Sequence, residues 1–397
     1  MNPPEQRTET YDRVDGPTTP WLAVGFVLAG LGTALLGPIL PYLAHQWHLS
    51  DATSGALFFA KFVGAFLGGA SVARRLRLSI FLGAVLGCVG FGTFALASGP
   101  MLGGALLFVG GFGLGQIIAA TNILAGRRYE EHTGSALASL NFFWSLGAVV
   151  TGVLAGITVP RFGLRMPLFV LAALFLAAGS GGWFSTQKAQ AKQSKVVLQP
   201  LETGAFVRFA LLLFLYGGLE TCLTSWLTTF SLRFTDAHLL NEQSAVVLFW
   251  SALTAGRLLA SLLLRWWSER SVQIGSMLLG ALLVVAVSLS HSSLTLSAEC
   301  IALGLVLAPY FPAVFGTLMR LNPSARSAGM ILAVSGLGAA LFPWLMGLVS
   351  TATGSLRIAM LLPAAIALVM LALNWIGQAA TSITIPTGEA EANVVSS

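Results

Sequence analysis

Apolar and polar positions in this chain segregate at the scale of whole segments. Apolar runs occupy residues 21–43, 51–73, 78–97, 101–126, 134–159 and 166–186. After a polar interval, six more follow at 204–229, 244–267, 272–290, 294–320, 325–350 and 355–377. About 20 apolar residues suffice for a helix to cross a hydrocarbon core of about 30 Å, and each run reaches that length within a residue or so. A span in lipid has to satisfy its own backbone hydrogen bonds, which selects helices over open strands. The pattern predicts an all-α membrane protein of twelve transmembrane helices.

Composition agrees and narrows the class. Apolar residues make up 56% of the chain and charged residues 9%, against roughly a quarter charged in soluble proteins. Lipid is therefore the solvent for most of the surface. The 44 glycines suit helices that pack closely in a membrane. Cys88, Cys222 and Cys300 all fall inside apolar runs, so neither a disulfide framework nor a metal cluster is expected. No cofactor is expected either. The net charge of +6 comes from basic residues scattered between spans, a topology signal rather than a nucleic-acid-binding patch.

With the N-terminus cytoplasmic, fifteen of the 21 lysines and arginines fall on the cytoplasmic side and four on the other, with Lys61 and Arg257 inside spans. This excess fits the positive-inside rule. The expectation is a multi-pass protein of the cell (inner) membrane with both termini cytoplasmic. Residues 1–20 are polar, lack the basic start of a cleaved signal peptide, and are expected to be disordered. Residues 21–186 form one six-helix bundle, 187–203 a cytoplasmic linker, 204–377 a second bundle and 378–397 a disordered tail.

The two halves also match each other. A shift of 191 residues lays Gly147-Ala148 on Gly338-Ala339, Gly156 on Gly347, Gly113 on Gly304 and Arg74 on Arg265. One offset shared by three pairs of spans predicts two pseudo-symmetric six-helix bundles. In transporters, halves related by an axis along the membrane normal hold the binding site near the midplane.

Between the second and third spans the chain reads Gly69-Ala70-Ser71-Val72-Ala73-Arg74-Arg75-Leu76-Arg77-Leu78. This resembles the G-x-x-x-D-R-x-G-R-R/K signature of the major facilitator superfamily, with Ala73 in place of the acid and Leu76 in place of the second glycine. Three further stretches are similar to its fucose–glucose–galactose:proton symporter group. They are Asn141-Phe142-Phe143-Trp144-Ser145-Leu146-Gly147-Ala148, Tyr216-Gly217-Gly218-Leu219-Glu220 with Trp226 beyond it, and Trp250 followed by Gly256-Arg257. The resemblance implies alternating access, a monomer, and proton-coupled uptake of a hexose. It departs from that group in span four, where Ile118 stands four residues before Asn122 in place of a carboxylate. Span one also lacks an acid.

An ionisable side chain at mid-bilayer costs about 2.5–3.5 kcal/mol on insertion scales and so marks function or a partner. Only Glu220 and Glu299 lie well inside spans, and Glu299 sits near the outer end of its own. Burial disfavours the charged form of a carboxyl, so Glu220 is the candidate proton carrier, or else the structural partner of Arg257. Lys61 and Arg257 are open between structural and functional roles, and Arg74 and Arg77 are gating or structural charges. Asn141 and Trp144 share a helical face, and the resemblance implies that this stretch contributes to a sugar site. Gln116, Asn122, Trp226 and Trp250 complete the substrate-binding candidates.

The partners implied are a small molecule, protons and the lipid bilayer, with no nucleic acid. Proton-coupled efflux of a hydrophobic or drug-like molecule is the alternative. The spans hold no nucleophile–base or paired-carboxylate grouping of an enzyme.

Overall fold

The computed structural model describes residues 11–72, 75–129, 133–192, 201–235, 243–321 and 325–382. Its helices are α1 (Thr19–Ala34), α2 (Leu36–Trp47), α3 (Asp51–Ala70), α4 (Leu76–Phe94), α5 (Pro100–Arg128), α6 (Thr133–Phe162) and α7 (Arg165–Phe184). The second half has α8 (Thr203–Phe234), α9 (Ser244–Trp266), α10 (Glu269–Leu289), α11 (Ser293–Leu307), α12 (Tyr310–Arg320), α13 (Ala325–Thr353), α14 (Leu356–Ala359) and α15 (Leu361–Ser382). Eleven stretches of the described residues are long and apolar enough to cross a membrane, and α9 contributes the shorter apolar run Ser244–Ala260. The twelve expected spans are all helical.

Three spans are broken where one unbroken helix was expected. Span one divides at Leu35, between α1 and α2. Pro38 cannot donate to the carbonyl of Ala34, and its ring crowds that turn. Span ten divides at Ala308 and Pro309, and span twelve at Met360, three residues before Pro363.

Glycines set the packing within each half. Gly64 and Gly68 of α3 lie on the backbone of Phe108 and Phe112, while Gly111 and Gly115 of α5 lie on the backbone of Lys61 and Ala65. The two helices thus interlock with no room for a Cβ on either side. The internal repeat is visible in the same terms. Gly147 of α6 sits on the carbonyl of Val27 in span one, and Gly338 of α13 sits on the carbonyl of Phe214 in span seven. The 191-residue offset therefore joins equivalent contacts there. It does not for Gly113, which faces α4, and Gly304, which faces α9.

The segments expected as disordered leader and linker are partly ordered. Strand β1 (Tyr11–Pro17) pairs antiparallel with β2 (Thr186–Lys192), with Tyr11 opposite Lys192 and Pro17 opposite Thr186. Arg128 at the end of α5 donates to the carbonyl of Pro17 at 2.8 Å and so ties the ribbon to the first bundle. Polar composition suggested disorder, but two short extended segments satisfied each other's backbone groups.

The two halves meet at the distal end, opposite the start of α1. Arg233 at the end of α8 donates to both carboxylate oxygens of Asp51, at 2.6 and 2.7 Å. Ser350 of α13 donates to the same carboxylate at 2.6 Å, and the N–H of Ala52 donates to Thr351 Oγ1 at 2.9 Å. Gln243 donates to the Pro38 carbonyl at 3.0 Å, and Phe58 packs on Trp226 with centroids 6.3 Å apart. Toward the other end, Gly329 and Gly336 of α13 face open space. The halves are locked together at the distal end.

Candidate functional site

Glu220 lies midway along α8, with Tyr216 one turn earlier on the same face. Gly217 and Gly218 receive Ser335 and the ring of Phe342 from α13, so that helix presses on a neighbouring side of α8. On α9, Gly256 lies against Ala308 at the break in span ten. Opposite, Ala148 and Gly152 give α6 a small-residue face, and a Cβ at Gly152 would come within 2.6 Å of Val247. That close approach brings α6 and α9 together across the two halves.

The approach assembles a charged node at mid-depth. Arg257 Nη2 donates to both oxygens of Glu220, at 3.0 and 3.3 Å, and Nη1 donates to Ser145 Oγ at 2.8 Å. Glu220 and Arg257 belong to the second half and Ser145 to the first, so one guanidinium spans the interface. The side chains of Arg257 and Glu220 keep 21% and 12% of their surface open, so the pair is not completely sealed. Removing one member of a buried ion pair costs about 3–5 kcal/mol, because the other is left uncompensated.

Aromatic rings lie on the same helices, with Trp144 directly before Ser145 on α6 and Trp250 on the α9 that carries Arg257. Trp144 and Trp250 meet edge to face with centroids 5.3 Å apart, and the buried Trp250 Nε1 has no hydrogen-bond partner. Tyr216 lies beside both charges and donates to the last carbonyl of α11, Leu307, at 3.3 Å. Its ring stacks on Tyr310 at 5.2 Å, and the Tyr310 hydroxyl accepts from Asn374 at 3.0 Å.

Of the substrate-binding candidates, the structure pairs Trp144 with Trp250 across the two halves, and Asn141, three residues before Trp144 on α6, is exposed. Asn122 is half-buried, with Oδ1 unpartnered. Two stand elsewhere. Gln116 is buried, packs against Gly83 and donates to Ser71 at 3.2 Å, so it joins α3, α4 and α5 inside the first half. Trp226 is fully buried in the distal seal, donating to the Pro343 carbonyl at 3.1 Å and leaving no face to a ligand. Helical spacing placed both residues at cavity depth but could not assign the side of the helix they occupy.

The charges also sort. Lys61 is 1% exposed, faces no carboxylate among the described residues, and donates to the carbonyls of Gly32 and Thr33. Thr151 donates to Leu31 O at 3.3 Å. These are last-turn carbonyls of α1, which a helix end leaves without partners. Lys61 therefore caps the break in span one. Arg77 donates to the Trp183 carbonyl and stacks on that indole at 4.1 Å, within the first half. Arg74 lies outside the described residues. Glu299 is half-buried on α11, with Oε2 unpartnered.

Sequence reasoning missed Ser145 as the cross-half partner and the Asp51–Arg233–Ser350 cluster. Ser145 carried a signal, since it follows Trp144 and lies four residues after Asn141. Asp51 and Arg233 sit at span ends, where charges are ordinary.

Two helical bundles with glycine-lined contacts, one sealed mouth and a charged node at mid-depth define a polytopic membrane transporter rather than an enzyme. Residues 22–333 match the family model of the Major Facilitator Superfamily, and the chain belongs to that family. The chain is 23% identical over 386 residues to Bypass of stop codon protein 6 of Saccharomyces cerevisiae, covering 83% of this chain and 76% of that protein. It is 30% identical over 162 residues to the gentisate transporter of Corynebacterium glutamicum, covering 38% of this chain and about a third (36%) of that protein. Among solved structures it is similar to a bacterial homologue of the human lysosomal transporter Spinster, in an inward-facing and occupied conformation. That likeness has a TM-score of 0.74 at 14% identity and covers 91% of this chain and 96% of the other.

Proposed function

We propose that this transporter couples the movement of a small ring-bearing molecule to protons, with Glu220 as the carrier. The observation that carries the reading is the Glu220–Arg257–Ser145 bridge, an ionisable pair at mid-depth joined to the opposite half. Protonation of Glu220 removes its charge from Arg257 and so alters a contact that the rocking halves share. A distal end locked by Asp51, Arg233 and Ser350 fits an inward-facing conformation, with the termini cytoplasmic. The protein then works as a monomer in the cell (inner) membrane.

Two substrate readings have support. Exposed Asn141 near Trp144 favours a hexose, since amides pair with hydroxyls and an indole stacks on the C–H face of a sugar. The similarity to a gentisate transporter, together with the two indoles that meet between α6 and α9, favours an aromatic acid.

The test is proton movement into proteoliposomes loaded with an internal pH dye as hexoses or aromatic acids are added. Internal acidification that tracks one compound, and is lost in Glu220→Gln while counterflow exchange survives, supports the proposal. Accumulation undiminished in Glu220→Gln overturns Glu220 as carrier. A response to lipophilic cations alone points to efflux.

A further inference from the structure

Resting on that proton-coupled reading, we infer that Arg257 is the receptor for a substrate carboxylate, and that this carboxylate and Glu220 compete for the same guanidinium. The substrate class is then a monocarboxylate carried with one proton.

The geometry supplies each part. Among the described charges inside spans, Lys61 is sealed against span one, whereas Arg257 is partly open and turns its fork toward the interface between halves. Both Glu220 oxygens lie on Nη2, and Nη1 reaches Ser145. A carboxylate matches a guanidinium through two parallel bonds, and because Glu220 holds Nη2 while Ser145 holds Nη1, a substrate carboxylate that takes the fork displaces Glu220 from Nη2. Two ionised carboxylates sharing one site repel, and the site then favours the neutral form of one of them. Arrival of an external carboxylate therefore drives a proton onto Glu220. The balance is closed: one anion is added on Arg257, one proton is added on Glu220, and the net charge of the node does not change.

The charged and titratable groups around Glu220 are Tyr216 on its own helix, Arg257 on α9 and, beyond Tyr216, Tyr310 on α12. From α2 and α13, also packed against α8, His45 and Arg326 belong to the helix ends, and α15 carries no charged residue. A neutral sugar offers nothing to displace Glu220, so it binds without taking up a proton at this node. The paired indoles of Trp144 and Trp250 lie on the helices that carry Ser145 and Arg257, so an aromatic carboxylate suits this interface, which makes benzoate the probe and benzamide its neutral counterpart.

Purified protein in detergent, in weak buffer, is titrated with benzoate while tryptophan emission and bulk pH are read together. Wild type is expected to take up one proton per benzoate bound, with affinity falling about tenfold per pH unit where free Glu220 is ionised, as linkage requires. Glu220→Gln keeps benzoate binding but loses both the proton and the pH slope. Arg257→Gln weakens benzoate about a hundredfold or more while leaving benzamide unchanged, and Arg257→Lys, which keeps the charge without the fork, checks that folding is not the cause. Benzoate binding without proton uptake, equal affinity for benzoate and benzamide, or no benzoate binding at all overturns the inference. If hexoses still drive proton-coupled flux in proteoliposomes, the function stands and only the carboxylate site falls; if no compound moves protons, both fall.

Discussion

Asp51→Asn tests whether the distal seal is an energetic latch or merely a place where surfaces touch. The carboxylate accepts two bonds from Arg233 and one from Ser350, all between 2.6 and 2.7 Å. A hydrogen bond to a charged group contributes about 1.5–3 kcal/mol. Asp51 is only 11% exposed, but Arg233 is 41% exposed, and solvent screening reduces an ion pair toward 0–1 kcal/mol. About 1–2 kcal/mol for the cluster is therefore reasonable, and that shifts the sealed-to-open ratio about 5–30-fold. Thr224 of α8 has its backbone against Gly37 of α2 in the seal, so a cysteine placed there reports opening. With Cys88, Cys222 and Cys300 replaced by serine, labelling of Thr224→Cys by an impermeant maleimide from the distal side should rise about 5–30-fold in Asp51→Asn. The charge swap Asp51→Arg with Arg233→Asp should restore slow labelling. Unchanged labelling in Asp51→Asn, with the swap equally silent, would show that packing alone closes this mouth.

Other perturbations separate packing from chemistry. Lys61→Met leaves the Gly32 and Thr33 carbonyls without their donor, and the cost of about 1–3 kcal/mol for an unsatisfied buried group should lower the thermal midpoint. An unchanged midpoint would remove Lys61 from the break. Gly147→Ala and Gly338→Ala each push a methyl into a carbonyl of the facing helix, and overpacking of about 1–3 kcal/mol should be similar in the two because the contacts are equivalent. Trp226→Phe loses one hydrogen bond, worth about 1 kcal/mol, and should speed labelling of Thr224→Cys modestly without altering ligand binding at the node.

The legible part of the site was chemical identity at depth. Glu220 and Arg257 stood out because a charge inside an apolar run is costly wherever it faces, and an ion pair between them was the competing reading of Glu220. Trp144 was legible through its spacing from Asn141. Gln116 and Trp226 misled for one shared reason: a span that is apolar all round has no polar stripe to mark its inward face. Their partners, Ser71 and the Pro343 carbonyl, lie 45 and 117 residues away, and no local pattern predicts a contact at that separation.

The sequence by itself determined the number and approximate limits of the spans, the excess of basic residues on one side, and the two-fold repeat. Lipid imposes these on the chain segment by segment, because each run of about 20 apolar residues answers to the bilayer alone. Only the tertiary structure decided that span one breaks where Lys61 can cap it and that the distal mouth closes on Asp51. Only it decided that Arg257 joins Glu220 to Ser145 of the other half. Those outcomes depend on how each helix is rotated against its neighbours, which the glycine contacts set and the bilayer does not.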